Sequence, residues 1–314
     1  MIIKNLNDIN IESFDYTIIG SGPAGITLSL ALAKKNKKVL IIEAGDLLFS
    51  ENSQSFYKGK TIGDKYYQLD ITRLRYFGGS SGHWAGACRT LDSVDFEQWP
   101  INKKSLDIYE KKAKEILNIK GDFYSKKSEF ENFNNINLLG SDVQFGEKYE
   151  TEIKNSDKIF LLLNSPLLQI IPDEKNLRYV QEIIIKVNNL DKKIKVKKLI
   201  LATGGIENSR ILLWSKFLSK NKFLKKLPIG NYWNEHPAGE IAHFISERNK
   251  DDPQIKNLFA KFLAPNADFL KKKRLNNIRF DFLEYGNISK KNIKHYIKDL
   301  ICIAPNFGKK IFES

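Results

Sequence analysis

Apolar residues in this chain fall in short blocks separated by polar, lysine-rich stretches. Asp15–Gly20 (DYTIIG) and Lys38–Ile42 (KVLII) are compact β-branched runs of the kind that form buried strands. Between them, Pro23–Asn36 carries small and apolar residues at helical spacing, so this region reads as strand, turn, helix, strand: one βαβ unit. Residues 46–100 show no long period and are rich in Gly, Ser, Tyr and Arg; an extended segment that wraps something is expected there. Lys103–Ile119 predicts a helix, and 121–157 predicts loops with one short helix. Strand pattern returns in Ile159–Asn164, Leu167–Pro172, Leu177–Asn188 and Lys193–Ala202, followed by a helix over Ile206–Lys216 and a loop over Ile229–Pro237. Residues 240–314 form a mixed, basic tail with strand-like pieces such as Ile278–Leu283, and no internal repeat is visible.

Composition changes this picture little. The net charge of +14 raises the question of a nucleic-acid or membrane partner. The lysines are spread along the chain, however, and the densest run, Lys271–Arg274, has no nucleic-acid-binding signature around it. It reads as a solvated face, so no nucleic-acid partner is expected. Two cysteines, Cys88 and Cys302, make no CxxC pair and no disulfide framework, which suits a reducing compartment. With no apolar run of membrane-spanning length and no signal-peptide pattern, a cytoplasmic location is the expectation.

Candidate chemistry begins at GSGPAG, Gly20, Ser21, Gly22, Pro23, Ala24 and Gly25. In a GxGxxG between strand and helix, the first glycine makes the tight turn, the second admits a pyrophosphate, and the third lets the helix pack on the sheet. The diphosphate then lies at the positive end of the helix. Glu43 ends the second strand, followed by Ala44. A carboxylate there accepts hydrogen bonds from ribose hydroxyls and repels a 2′-phosphate, which argues against NADP. NAD and FAD stay open on this fingerprint. A second feature, KLILATGGIEN, runs an apolar strand through Ala202, Thr203 and Gly204 into a helix containing Asn208. A turn of this sort resembles the one that returns under FAD late in flavoproteins of the two-dinucleotide-binding type, and the strand-rich stretch before it fits their β-meander. A reductase using NADH would need a second GxGxxG between these two features, and none is present.

FGGSSGHWAG, Phe77–Gly86, resembles the segment that lies along the pyrophosphate and flavin in the glucose–methanol–choline (GMC) oxidoreductase family. DFEQWP (Asp95–Pro100), GGIENSRILLWS (Gly204–Ser215) and GNYWNEHP (Gly230–Pro237) resemble further pieces of that family, in the same order and over most of residues 13–240. Gly204–Ser215 takes the form seen in the sugar-oxidising, pyranose 2-oxidase-like branch. The resemblance implies an α/β fold: a Rossmann-like FAD/NAD(P)-binding domain with a β-meander over 1–235, its flavin-covering segment at 46–100, and the start of an α+β substrate domain over 236–314. It implies FAD as cofactor, held by the residues above together with Gly78, Gly79, Ser80, Ser81, His83 and Trp84. His83 stands where pyranose 2-oxidase and choline oxidase tether flavin through a histidine; the alternative is a histidine that only packs or hydrogen-bonds near it. Arg73 and Arg75 are open between contact with a phosphate or acidic substrate and ordinary solvated loop arginines.

The implied activity is oxidation of a CH–OH group in a sugar, polyol or other alcohol by hydride transfer to flavin N5. The family's proton-removing histidine, paired with a second histidine or an asparagine, lies in a late segment that returns to the flavin domain. No such pair is found here: His236 matches a structural position, and His243 and His295 have no motif around them. A C-terminally truncated chain is therefore expected. A companion chain would supply the rest, or the chain is a flavin-binding fragment inactive by itself.

Overall fold

A computed structural model describes residues 1–3, 6–63, 66–97, 99–177, 179–220, 222, 224–233, 235, 238–241, 251–259 and 261–282. His236, His243, His295 and Cys302 lie outside the described residues. The chain divides into two compact units, one of residues 1–87, 110–120 and 140–239, the other of 88–109, 121–139 and 240–314.

The first unit is built on a sheet of five strands: β1 (Ile2–Ile3), β2 (Tyr16–Ile19), β3 (Val39–Ile42), β4 (Ile159–Leu162) and β5 (Leu199–Leu201). Their spatial order is β1-β4-β3-β2-β5, and every pairing is parallel. Parallel strands covered on both faces read as unbroken apolar runs, and all four residues of β3 are fully buried. Period-two alternation sends Val39 and Ile41 to one face, with Ile18, Ile26, Phe145 and Ile153, and Leu40 and Ile42 to the other, with Ile170, Ile183, Ile185 and Ile211. The first face is covered by helices α1 (Pro23–Lys34) and α2 (Phe145–Asn155). The second is covered by an antiparallel sheet of Leu167–Pro172, Val180–Val187 and Leu190–Lys195, and by α3 (Gly205–Leu218). This arrangement is the α/β, Rossmann-like fold with a β-meander that the resemblance implies.

Two expectations need correction. The stretch expected as one strand over Lys193–Ala202 falls in two, breaking between Lys195 and Leu199, and the first begins earlier, at Leu190, because Asn188 and Asn189 (φ +49° and +62°) make a tight turn after Val187. Positive φ at both central residues gives the twist that a two-residue hairpin needs. Leu190–Lys195 therefore belongs to the hairpin, and only β5 joins the parallel sheet. Within 121–157, α2 is a full helix. Its Phe145, Tyr149 and Ile153 recur every four residues and are all buried, a spacing legible in the sequence.

The second unit contains an antiparallel sheet in the order Phe280–Asp281, Phe262–Pro265, Phe133–Ile136, Ser125–Lys127. The helix Ala267–Lys273 follows, its first turn capped by Asn266, whose side chain accepts from Phe269 N–H at 2.9 Å. The basic run Lys271–Arg274 closes that helix and is exposed, with cations set at its negative end. Among the described residues, no helix is long and apolar enough to cross a membrane.

Candidate active site

The turn from β2 into α1 follows from three contacts. Gly20 has φ +96°, and a Cβ on it would stand 2.7 Å from Ala202 O. A Cβ on Gly25 would stand 2.0 Å from Gly20 O, so only glycine lets the helix come this close to the strand end. At Gly22 a Cβ would meet nothing within 4 Å, so the backbone there faces open space. Gly22 is the N-cap of α1 and Pro23 the first helical residue, with no acidic side chain in the first turn. The free N–H groups and dipole of the helix start therefore meet no competing anion from α1 itself.

Glu43, at the end of β3, is buried and holds the turn from behind. Its Oε2 accepts from Ser21 N–H at 2.9 Å and Ser21 O–H at 2.6 Å, and its Oε1 accepts from Gly45 N–H at 2.8 Å. The segment after it is tied to the same turn, because Gly78 N–H donates to Ser21 O at 3.0 Å. A Cβ on Gly79 would stand 3.1 Å from the Cα of Gly22, so these two backbones pass in contact. Ser80 Oγ accepts from Leu74 N–H at 3.2 Å. Ser81 is buried; its hydroxyl donates to Gly78 O at 2.7 Å and accepts from Phe145 N–H at 2.9 Å. His83 follows the 3-10 turn Gly79–Gly82 and is exposed. Trp84 donates through Nε1 to Val143 O at 3.0 Å and sets its ring edge-on to Phe145.

The third loop leaves β5 through Ala202 and Thr203. Asn208 Oδ1 accepts from Thr203 N–H at 3.1 Å and Thr203 O–H at 2.6 Å, which bends the chain into α3 at Gly204 (φ +83°).

One cleft of ≈ 1570 Å³ collects these loops. Gly20, Ser21, Gly22, Pro23, Ala24, Glu43, Ala44, Gly79, Ser80, Ala202, Thr203 and Gly204 all line it. Gly25, Gly78, Ser81, His83, Trp84 and Asn208 do not; apart from the exposed His83, their contacts support the loops from outside the cleft. Among the described residues no group of His, Cys, Asp and Glu could hold a metal ion.

Several further residues that shape the cleft carry no signal in the sequence. Gln54 is buried, its Nε2 donating to Asp70 O at 2.5 Å and Arg73 O at 2.7 Å while its Oε1 accepts from Arg75 N–H at 3.0 Å. This single amide fixes the loop that carries both arginines. Arg73 stacks over Tyr57 at 4.0 Å and Arg75 over Phe56 at 5.0 Å. Burial, with the negative charges of Glu43 and Glu207 behind it, pushes the Tyr57 phenol up to about 12. Glu207 pairs with Arg210 through Nε at 3.0 Å and Nη2 at 2.6 Å. Tyr57, Arg73, Arg75, Glu207 and Arg210 all line the same cleft.

The family model described as pyridine nucleotide-disulphide oxidoreductase matches residues 14–224. UDP-galactopyranose mutase of Mycoplasma genitalium is 46% identical over 46 residues, which are 15% of this chain and 11% of the mutase. Among solved structures, pyridoxine 4-oxidase from Mesorbium loti is similar with TM-score 0.44 and 15% identity, covering 64% of this chain and 51% of the oxidase. A fungal aryl-alcohol oxidase follows at TM-score 0.43 and 13% identity, with 65% and 47% covered. A formate oxidase of Aspergillus oryzae has TM-score 0.43 and 18% identity, with 67% and 49% covered. The chain spans about half the length of these oxidase structures.

Proposed function

The chain belongs to the pyridine nucleotide-disulphide oxidoreductase family, and from that premise we propose that its first unit holds FAD in an oxidoreductase of the GMC type acting on CH–OH groups. The observation that carries this reading is the convergence of three loops far apart in sequence, at Gly20–Ala24, Gly79–Ser80 and Ala202–Gly204, on one cleft. Bound FAD would supply the hydride acceptor for alcohol oxidation.

The residues present fit that group. The open face of Gly22 and the start of α1 take the diphosphate. A carboxylate has about four acceptor positions, and Ser21 and Gly45 fill three on Glu43. What remains accepts a ribose hydroxyl, and the same negative charge disfavours a 2′-phosphate. Gly204 also has nothing within 4 Å of a built Cβ, leaving the backbone of the third loop open to a planar ring. Ser81 and Trp84 act by fixing the glycine-rich segment on α2, and Asn208 by fixing the third loop.

The finer assignments rest on the GMC resemblance. The form of Gly204–Ser215 favours a sugar or other polyol as substrate. The covalent bond from His83 to the flavin rests on the resemblance alone, since His83 is exposed and does not line the cleft. The cysteine content supports a cytoplasmic location, and we assign 1–235 to the cofactor domain and 236–314 to part of a substrate domain.

The test is the visible absorption spectrum of the purified protein, taken before and after acid precipitation. A flavin spectrum is expected. Colour left in the supernatant means dissociable FAD, and colour in the pellet that is lost on His83→Ala means a bond to that histidine. A colourless protein that stays colourless after incubation with FAD would overturn the cofactor assignment.

A further inference from the structure

Arg75 is 9% exposed, yet it enters no ion pair among the described residues. Its Nη1 donates to Ser53 Oγ at 2.7 Å and more weakly to Ser53 O at 3.4 Å, both neutral acceptors. The nearby carboxylates are committed elsewhere. Glu43 is held by Ser21 and Gly45, and Glu207 is gripped by the Arg210 fork. Arg73 Nη1 stands 3.5 Å from Glu207 Oε2, within ion-pair range, but it makes no hydrogen bond and is itself buried. The ion pair is the weaker description here, because a buried N–H gains little from an acceptor it does not point at. Arg73 and Arg210 thus share Glu207, and Arg75 has no carboxylate of its own among the described residues.

Burying a guanidinium without an anion is unfavourable, and burial accordingly depresses the Arg75 pKa below its usual range. Both forks are nonetheless held ready. Phe56 and Tyr57 present ring faces to them, and Gln54 pins the backbone between them. A planar fork fixed in this way matches an oxyanion in two-point contact. The dinucleotide diphosphate falls to the start of α1, while the backbone of the arginine loop borders the Glu43 turn, where a Cβ on Gly45 would stand 2.2 Å from Arg75 O. The cleft of ≈ 1570 Å³ exceeds the roughly 300–1,000 Å³ of a single small-molecule site, which leaves room for a second group.

We propose that Arg75 and Arg73, backed by Tyr57, form a binding site for an oxyanion, a carboxylate or a phosphate, carried by a ligand other than the dinucleotide. The site goes beyond the flavin assignment and does not require it.

The experiment is calorimetric titration of the full-length protein as purified, at constant ionic strength set with chloride. Inorganic phosphate is the probe in one arm and oxalate in the other. Saturable binding at one site is expected, with the tighter probe indicating whether the natural group is phosphate or carboxylate. Arg75→Gln should weaken it about tenfold or more, as loss of a charge-assisted hydrogen bond implies. Arg73→Gln should weaken it less, and Arg279→Gln, in the second unit, should leave it unchanged. If Arg75→Gln fails to fold, Arg75→Lys keeps the charge without the fork and should still weaken both probes. No saturable binding to the wild-type protein overturns the proposal. So does binding that survives the Arg75 and Arg73 variants, or that falls equally in Arg279→Gln. The flavin spectrum of each sample separates the two readings: flavin without anion binding sinks only this site, and anion binding without flavin sinks only the cofactor assignment.

Discussion

In one part of the cleft lining, the turn Gly20–Gly25 presents backbone N–H groups and a helix start, and its one carboxylate is tied to Ser21 and Gly45. In another, which borders Gly45, Arg73 and Arg75 present whole positive charges on side chains, mounted on a loop that Gln54 staples by three hydrogen bonds. The first part depends on how close two backbones come. The second depends on how firmly a loop is held. A substitution that adds volume should therefore ruin the first, whereas loss of one hydrogen-bonding side chain should loosen the second.

The sharpest way to break this contrast is Gly25→Val. Its Cβ would stand 2.0 Å from Gly20 O, so α1 must move off the sheet. Destabilisation of about 3 kcal/mol or more is expected in urea unfolding, with loss of any bound flavin. Glu43→Ala comes next. It strands the Ser21 and Gly45 donors, at a cost of about 3 kcal/mol by the same measurement, and should weaken flavin retention with them. Gln54→Ala is the matching cut in the arginine loop. We expect about 2 kcal/mol lost and weaker phosphate or oxalate binding, while the flavin spectrum stays. If Gln54→Ala releases flavin as readily as Glu43→Ala does, the two parts are one device and the contrast fails.

The smallest effect is one of pH. Tyr57 titrates at about 12 in the folded protein against 10.0 for the free phenol. The unfolded chain therefore loses this proton first as pH rises. Stability is intact below pH 10, declines between about 10 and 12, and the decline levels off above that. At pH 11 the penalty is about 1.4 kcal/mol. Other tyrosines and lysines titrate in the same range, so the difference between wild type and Tyr57→Phe is the quantity to measure. A difference that does not change between pH 9 and 11 would show that Tyr57 is not shielded from solvent as described.

Legibility followed distance along the chain. The βαβ unit, the GxGxxG turn and Glu43 could be read from residues 15–43 because strand, turn, helix and carboxylate are neighbours there. Helix α2 shows its buried face in the spacing of Phe145, Tyr149 and Ile153, but the polar residues between them shorten the helix the pattern predicts. A polar turn before Lys193 is expected, but its tightness at Asn188–Asn189 is hidden, because asparagine reaches positive φ as glycine does without being as strong a turn signal. Arg73 and Arg75 were ambiguous in the sequence. An arginine in a loop is solvated unless something distant buries it, and here Gln54, Phe56 and Tyr57 do so.

Local spacing alone determined the parallel α/β core and the backbone geometry of the dinucleotide turn, because strand burial, helix period and glycine placement act over a few residues. Only the tertiary structure decided that Ser21 and Gly45 saturate most of Glu43, that Ser81 and Trp84 brace the glycine-rich segment on α2, and that Arg75 is buried without a carboxylate partner. The reason is physical. Burial and charge pairing depend on what lies across space, and the carboxylates that leave Arg75 unpaired are committed by contacts among loops far apart in the chain.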